Sequence, residues 1–173
     1  FNCYVAGNSA ARGGAIYLSE SSNHTEIVNA TIAGNEAESA GGLFADGPGT
    51  SGTVLNSIFF ENVDSESGDA THVLPANGAV VHLGYSALPC AGTTVPGDHL
   101  VALPPRFKHL GGDDGIVGTI DDLLLLDEGS PCIDAGGQSY ASVTVPQDTF
   151  DVDEDGNLLE LHPLDSDETV QDP

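Results

Sequence analysis

Apolar and polar residues alternate along the first sixty residues of the chain, and the alternation recurs with a fixed period. Three equivalent sets of alternating positions lie 27 residues apart: Phe1, Cys3 and Val5; Val28, Ala30 and Ile32; Leu55, Ser57 and Phe59. Alternation with a period of two is typical of a β-strand that buries one face. We therefore expect an equivalent strand in each of three repeats, with these positions facing inward.

Asparagine follows the same period. Two series share the 27-residue spacing: Asn2, Asn29 and Asn56, and Asn8, Asn35 and Asn62. Asn and Gly tolerate the left-handed backbone conformation that a sharp corner requires. A period in this range indicates that one small structural unit is stacked on itself. We predict that the second series forms a ladder of side-chain amides at one corner of the stack.

The predicted fold is all-β, a right-handed parallel β-helix with an irregular C-terminal segment. The alternative is an ordinary β-sandwich whose strands resemble one another by chance. We expect residues 1–90 to form coils, residues 91–149 to form late coils with long loops and a closing segment, and residues 150–173 to form an acidic, calcium-binding C-terminal loop. The period is clear for three coils and blurs after Asn62.

Several segments resemble bacterial secreted right-handed parallel β-helix repeat proteins, of the pectin-lyase-like and polymorphic outer-membrane-protein-like kinds. The early coils are represented by GNSAARGGAIYLS, GNEAESAGGLFAD and LNSIFFEN, and the late coils by GYS at 84–86 and PRF at 105–107. The stretch GSPCIDAG (129–136) resembles the closing signature of that family, and FDVDEDGNLLELHPLD (150–165) resembles the Asp-rich segment after it. The resemblance implies a β-helix fold and an exported protein.

The two ends of the chain also bear on location. Phe1 falls inside a repeat, and the Arg-containing strand that usually ends such proteins is missing after Asp167. We therefore expect a mature or excised fragment of a longer protein that is extracellular or at the cell surface. The longest leucine run, LLLL at 123–126, is far too short to span a membrane.

The charge of the chain is strongly negative. The chain has 27 acidic residues and three basic residues, Arg12, Arg106 and Lys108, so its formal net charge is −24. Three bases cannot form a basic patch, so nucleic acid and anionic membrane surfaces are poor partners. Two explanations of the acidity remain open together, adaptation to a salty habitat and the binding of cations.

Three cysteines raise the question of disulfide bonding. Cys3 occupies the inward position shared with Ala30 and Ser57, which predicts a buried free thiol. Cys90 and Cys132 both lie in the irregular C-terminal part, and in an exported protein they are the natural disulfide pair.

The strongest chemical motif is the acidic run from 151 to 157. Carboxylates at alternate positions followed by glycine can converge on a hard cation, as in the first half of an EF-hand loop. The second half departs from that loop, because position twelve is His162 and no helix pattern flanks the run. The predicted calcium ligands are Asp151, Asp153, Asp155, the carbonyl of Asn157, and Glu160. A solvated acidic surface loop is the alternative.

Two further acid pairs, Asp113-Asp114 and Asp121-Asp122, stand next to glycine-rich turns. Paired carboxylates can serve glycoside hydrolysis as acid and base, but turn and capping roles are commoner for aspartate. The β-helix fold also hosts polysaccharide lyases, and Arg106 and Lys108 are the nearby bases for such a reaction. Fold alone does not establish that activity.

The leading functional hypothesis is a non-enzymatic structural or adhesive protein that self-associates through its open ends. The alternative is a carbohydrate-active enzyme or carbohydrate-binding module on the same fold, with polysaccharide as partner. An aromatic platform favours that alternative, yet we expect the stack to occupy part of the available rings: Tyr4, Tyr17, Phe44, Phe59 and Phe60.

Overall fold

The computed structural model describes residues 1–19, 24–89 and 95–137, and the backbone of residues 151–152 and 158–160. All regular elements in these residues are β-strands, and the described segments contain no helix. The chain divides into two compact units, Phe1–Gly137 and Gln138–Pro173. The described part of the protein is therefore all-β, as the alternation predicts.

The strands of the first unit are short. Those of the first three repeats are β1 Tyr4–Ala6, β2 Ser9–Arg12, β3 Ile16–Leu18, β4 Thr25–Val28, β5 Thr31–Ala33, β6 Glu36–Ser39, β7 Leu43–Asp46, β8 Ser51–Leu55, β9 Ile58–Phe60, β10 Val63–Asp64, β11 Val73–Ala76 and β12 Val80–Gly84. Those that follow are β13 Gly97–Asp98, β14 Phe107–His109 and β15 Leu123–Leu126. We call β1–β4, β5–β8 and β9–β12 repeats 1, 2 and 3.

Each strand of one repeat pairs in parallel with the strand four places along the chain. The sheet orders are β1-β5-β9, β2-β6-β10, β3-β7-β11 and β4-β8-β12-β13. Equivalent strands of successive repeats therefore lie side by side in four separate sheets. Repeat 1 contributes one of the two edge strands of each of these four sheets.

The register of these sheets confirms the predicted spacing. Tyr4 lies opposite Thr31, and Thr31 lies opposite Ile58, so both steps are 27 residues. The step lengthens to 30 residues where Leu43 lies opposite Val73. Extra residues in the turn after β10 cause this change. The pairing thus continues where the sequence period is lost.

The interior contains the inward positions that the alternation predicts. Ile32 and Phe59 are fully buried, and Val5 packs against them half-buried at the edge. Burial of a side chain such as Phe59 stabilises the fold by about 2–3 kcal/mol. Further buried members of this core come from the β3-β7-β11 and β4-β8-β12-β13 sheets: Leu18, Leu43, Ala45, Val54, Val73, Val81 and Leu83.

The expectation of a buried thiol at Cys3 is wrong. Ala30 and Ser57, at the equivalent positions, are buried, whereas Cys3 is exposed. Repeat 1 has a described neighbour on one side only, and Cys3 is left uncovered there. Cys132 is half-buried and forms no disulfide bond with another described residue, and Cys90 lies outside the described residues.

A row of residues with positive φ marks the corner that follows strands β4, β8 and β12, and this row is longer than the asparagine series. Asn2, Asn29 and Asn56 all have φ near +50°, as predicted for a sharp corner. The next two positions in this row are Tyr85 and His99, with φ of 49° and 56°. Their rings stack at a centroid distance of 4.5 Å. An aromatic pair thus extends the row where the asparagines end.

The last part of the first unit is irregular. Strands β14 and β15 pair antiparallel, and Leu123, Leu124 and Leu125 are exposed on β15. The GSPCIDAG stretch forms turns between Ser130 and Asp134. Asn56 binds the residue that follows this stretch. The Asn56 amide oxygen accepts from Gly137 N at 2.8 Å, and the Asn56 amide nitrogen donates to Gly137 O at 3.3 Å.

Candidate functional site

The predicted calcium ligands fall in the second unit, where the structure describes only two short strands. Strands β16 (Asp151–Val152) and β17 (Leu158–Glu160) pair antiparallel, and Asp151 lies opposite Glu160. The other predicted ligands, Asp153, Asp155 and Asn157, lie outside the described residues. Within the described segments, no group of three or more His, Cys, Asp or Glu residues could hold a metal ion.

The acid pairs at 113–114 and 121–122 belong to one loop, which we call the Asp loop (residues 111–122). Asp121 organises it, since its Oδ2 accepts from the backbone N–H of Asp113 at 2.7 Å and its Oδ1 accepts from Thr119 Oγ1 at 2.7 Å. These hydrogen bonds, that from Thr119 first, lower the pKa of Asp121. The carboxylates serve the turn, which is the role that aspartate commonly has.

The Asp loop is held against repeat 1 by Tyr4. Its hydroxyl donates to Asp122 Oδ2 at 2.6 Å, and Gly118 N donates to the same oxygen at 2.6 Å. Burial, and then the hydrogen bond to Asp122, raise the pKa of Tyr4 well above its ordinary value. Tyr4 therefore stays protonated and acts as a hydrogen-bond donor that ties the loop to β1.

A ladder of asparagine side chains crosses the repeats, as predicted. Asn8 Nδ2 donates to Asn35 Oδ1 at 2.9 Å, and Asn35 Nδ2 donates to Asn62 Oδ1 at 2.8 Å. Asn62 Nδ2 lies 3.5 Å from Nδ1 of the buried His72. Burial lowers the pKa of His72 to about 4, so this ring is neutral at pH 7. The ladder is structural, because its inner members are sealed from solvent.

The most distinctive surface group lies on the β3-β7-β11 sheet and the adjoining end of β2. We call it the Tyr17 surface; it consists of Arg12, Tyr17, Phe44, Asp46 and Asn77. Tyr17 pairs with Phe44 across neighbouring strands, and their rings stack at 5.8 Å with an interplanar angle of 25°. Arg12 Cζ also lies 5.8 Å from the centroid of the Phe44 ring.

Asp46 joins the polar members of the Tyr17 surface. Its Oδ2 accepts from Arg12 at 3.2 Å and from the Tyr17 hydroxyl at 3.3 Å. Its Oδ1 accepts from Asn77 Nδ2 at 2.6 Å. Arg12 and Tyr17 come from repeat 1, Asp46 from repeat 2 and Asn77 from the turn after β11. The parallel register therefore assembles this group from residues 29 to 34 positions distant from Asp46.

The local backbone explains why Arg12 and Tyr17 face the same region. Gly13 forms the corner between β2 and β3 with φ of +57°, and a Cβ there would lie 2.1 Å from Ile16 O. Only glycine fits this turn. An open depression of about 330 Å³ lies beside it, lined by Ala11, Arg12 and Tyr17.

Sequence reasoning missed this group. Phe44 is indeed committed to the stack, with 6% of its surface exposed, but Tyr17 is 48% exposed. The signal was present in the register, because Tyr17 and Phe44 stand 27 residues apart at outward positions. The hydrogen bonds of Asp46 depend on strand ends and turns, where the sequence carries no periodic signal.

A second depression lies where the closing stretch meets the corner row. Its walls include Asn56, Tyr85 and Ser86 on one side and Cys132, Ala135 and Gly136 on the other. Its volume is about 100 Å³, and burial raises the pKa of the Cys132 thiol. A thiol with a raised pKa is a poor nucleophile at neutral pH.

Comparisons with protein-family models, with curated proteins and with solved structures found no significant match to the chain. The described residues also contain no helix with the length and apolarity needed to cross a bilayer. Evidence on function therefore comes from the geometry of the chain itself.

Proposed function

We propose that this chain is part of a right-handed parallel β-helix with a non-enzymatic structural or adhesive role outside the cell or at its surface. The observation that carries the proposal is the row of polar ladders between repeats. Besides the asparagine ladder, Ser57 Oγ accepts from Ala30 N, and Ser86 Oγ accepts from Ser57 N, both at 3.1 Å. Such buried, satisfied ladders join each repeat rigidly to the next.

Two sequence features support the extracellular part of this proposal. The coil segments and GSPCIDAG resemble secreted bacterial β-helix repeat proteins. The net charge of −24 suits a salty medium, in which the repulsion between carboxylates is screened. Together these two features support a cell-surface role in a salty habitat.

The edge strands of repeat 1 support self-association as part of this role. Strands β1–β4 each pair on one side only within the described residues, and Phe1 is 59% exposed. Unpaired backbone groups in four adjacent strands form a template for further parallel strands. We propose that further parallel strands cover this end, supplied by chain that precedes Phe1 in a longer protein or by a second copy, and that this chain by itself associates end to end.

Light scattering over a range of protein concentrations tests this association. We expect the mean mass to rise with concentration, since the copies join through the edge strands. Ala10→Lys should hold the protein as a monomer, because Ala10 lies opposite the buried Ala37 and a charge there blocks the edge. Ser9→Lys, with the same charge on the outward face of β2, is the control and should still associate. A monomeric wild type at the highest concentration would contradict the proposal.

Calcium binding by the acidic hairpin belongs to the same proposal. Asp151 and Glu160, opposite each other on β16 and β17, stand at the two ends of the predicted ligand run. Carboxylate and backbone carbonyl oxygens are the hard ligands that calcium prefers. Bound calcium would offset part of the negative charge of the chain, whose carboxylates otherwise repel one another.

The alternative function, a carbohydrate-active enzyme or a carbohydrate-binding module, receives unequal support. The catalytic form is less well supported, because Asp121 and Asp122 accept hydrogen bonds that shape the Asp loop. Carbohydrate binding gains from the exposed ring of Tyr17 beside polar side chains. Of the two forms of the alternative, the geometry favours a binding surface without chemistry.

A further inference from the structure

We propose that residues 107–122, which include the Asp loop, form a strap that holds the three repeats together as one cooperative unit. The strap begins beside repeat 3 and ends beside repeat 1, on the outer face of the β1-β5-β9 sheet. This device goes beyond the proposed function, because it is independent of what the protein contacts outside the cell. It concerns how the first repeat keeps its fold.

An aromatic contact and a hydrogen bond fix the two ends of the strap. At repeat 3 the ring centroids of Phe107 and Phe60 lie 5.9 Å apart. At repeat 1 Asp122 Oδ2 accepts from the Tyr4 hydroxyl at 2.6 Å. Phe60 belongs to β9 and Tyr4 to β1, which are the two outer strands of the same three-stranded sheet. The strap therefore spans the whole width of this sheet.

The corner beside this sheet carries glycine at the two repeats where the strap approaches closely. The equivalent positions after β1, β5 and β9 are Gly7, Gly34 and Glu61, with φ of 66°, 61° and 52°. Glu61 shows that this backbone conformation admits a side chain. A Cβ at Gly34 would lie 2.7 Å from Val117 Cγ1, and a Cβ at Gly7 would lie 3.0 Å from the Cα of Gly118. The close approach of the strap therefore explains why both positions lack a side chain.

Burial within β5 shows that the outer face of the sheet is covered. Ile32 and Ala33 are successive residues of this strand, so their side chains point to opposite faces. Both are 0% exposed. Ile32 faces the core, and Ala33 is therefore covered from outside. Val117 packs at the adjoining Gly34, so the strap supplies this cover.

These contacts change how the stack can open. In a stack whose repeats contact only their neighbours, the terminal repeat can open without the others. Repeat 1 has a described neighbour on one side only. The strap joins it also to residues that follow repeat 3, and the strap is itself fixed on repeats 2 and 3. Repeat 1 therefore cannot open unless the strap is released.

Native-state hydrogen exchange followed by NMR tests the strap. The measurement is made at low ionic strength, where charge repulsion keeps the chain monomeric. The N–H of Gly13 donates to Ser39 O at 3.0 Å and reports on repeat 1 at a corner that the strap does not cross. The N–H of Leu43 donates to His72 O at 2.8 Å and reports on the contact between repeats 2 and 3. In the wild type we expect the two amides to be equally protected.

Tyr4→Phe releases the end of the strap. It should lower the protection of Gly13 about tenfold more than that of Leu43, because a hydrogen bond to a carboxylate is lost. Tyr17→Phe is the matched control, since it removes a hydroxyl that donates to Asp46 at 3.3 Å on a different sheet of the same repeat. This control should retain equal protection at the two amides.

Phe107→Ala tests whether the strap acts over distance. It removes the contact with Phe60 in repeat 3, yet it should also lower the protection of Gly13 in repeat 1. Lys108→Ala changes an exposed position on the same strand and should leave that protection unchanged.

A methyl group at the crossing point tests the close approach. Gly34→Ala should cost more protection in the wild type than in a Val117→Gly background, because the added Cβ meets the side chain of Val117. Gly49→Ala adds a Cβ at positive φ in open space, so its cost should be the same in both backgrounds. Equal costs of Gly34→Ala in the two backgrounds would contradict the packing of the strap on this corner.

Two further results would overturn the proposal. One is a wild type in which Gly13 is much less protected than Leu43. The other is an unchanged protection of Gly13 in both Tyr4→Phe and Phe107→Ala. All these values are measured on the monomer, so a failure of end-to-end association in light scattering would leave the strap in place.

Discussion

Single asparagine residues differ in energetic importance according to their position in the ladder. Asn35 is 1% exposed, and its amide group is fully used: the two N–H groups of Nδ2 are shared among Asn62 Oδ1, Val5 O and Ala33 O, and Oδ1 accepts from Asn8. Asn8 occupies the same register but is exposed. A buried amide with all its partners in place stabilises the fold mainly because its removal leaves the buried groups around it without hydrogen-bond partners.

Asn35→Ala should therefore lower the free energy of unfolding by about 3 kcal/mol, since several buried partners lose their hydrogen bonds. The matched substitution Asn8→Ala should cost less than about 1 kcal/mol, because water reaches the same groups at the exposed end. Urea unfolding followed by far-ultraviolet circular dichroism measures both values. Equal losses in the two variants would show that the ladder contributes nothing through burial.

His72 makes stability depend on pH. Its pKa is lowered from 6.5 to about 4 by burial, so the folded state binds fewer protons than the unfolded state between these values. Stability is then fully present above about pH 6.5 and is lost as the pH falls toward 4. Between pH 7 and pH 5 the wild type should lose about 2 kcal/mol from this residue.

The comparison of His72→Leu with the exposed His82→Leu isolates this effect. Unfolding free energies at pH 7 and pH 5 should show a smaller loss in His72→Leu, because no buried imidazole is left to protonate. The His82→Leu variant should retain the loss of the wild type. A loss that is unchanged in His72→Leu would assign the pH dependence to the carboxylates instead.

At the scale of elements, short strands act through their partners rather than alone. Strands of two to five residues pair across repeats, and the turns between them carry the variation in length. The turn after β10 absorbs extra residues without loss of pairing in the sheet that follows. The Asp loop shows the same division, since Asp121 and Tyr4 position it while the strands beneath keep their register.

The acidic hairpin of β16 and β17 gives the element-scale prediction. Calcium should raise the melting temperature of the chain and a chelator should lower it, because an ion that binds only the folded hairpin stabilises it. Asp153→Asn should abolish the calcium response measured by thermal unfolding and by calorimetric titration. Asp127→Asn, an acid outside the predicted ligand set, should respond like the wild type. Calcium and chelator without effect would remove Asp151, Asp153, Asp155, Asn157 and Glu160 from the proposed site.

At the scale of the whole molecule, charge opposes the association that the edge strands favour. Two copies of a chain with net charge −24 repel each other at low ionic strength. At about 1 M salt the Debye length falls to about 3 Å, and the contacts between strands dominate. The mass seen by light scattering should therefore increase with salt as well as with protein concentration. Association that weakens with salt would mean that attraction between charges drives it.

Much of the fold was predictable because contacts between neighbouring repeats appear in the sequence as a constant spacing. Parallel pairing between equivalent strands places Val5, Ile32 and Phe59 in one row, so a constant spacing reveals both strand and register. The exposure of Cys3 was not predictable from the 27-residue spacing, because the spacing does not show which repeat has a neighbour on one side only. Proximity in sequence carries no information about that.

The sequence alone determined the all-β class, the 27-residue register and the asparagine ladder, because each depends on residues that recur at equivalent places. Only the tertiary structure decided which of the equivalent residues are buried. It also decided which side chains from different repeats contact one another. Tyr17 remains exposed above Phe44, and Asp46 collects Arg12 and Asn77 at a strand end. Those contacts arise from turns and edges, where the physical environment of a residue is set by neighbours distant in the chain.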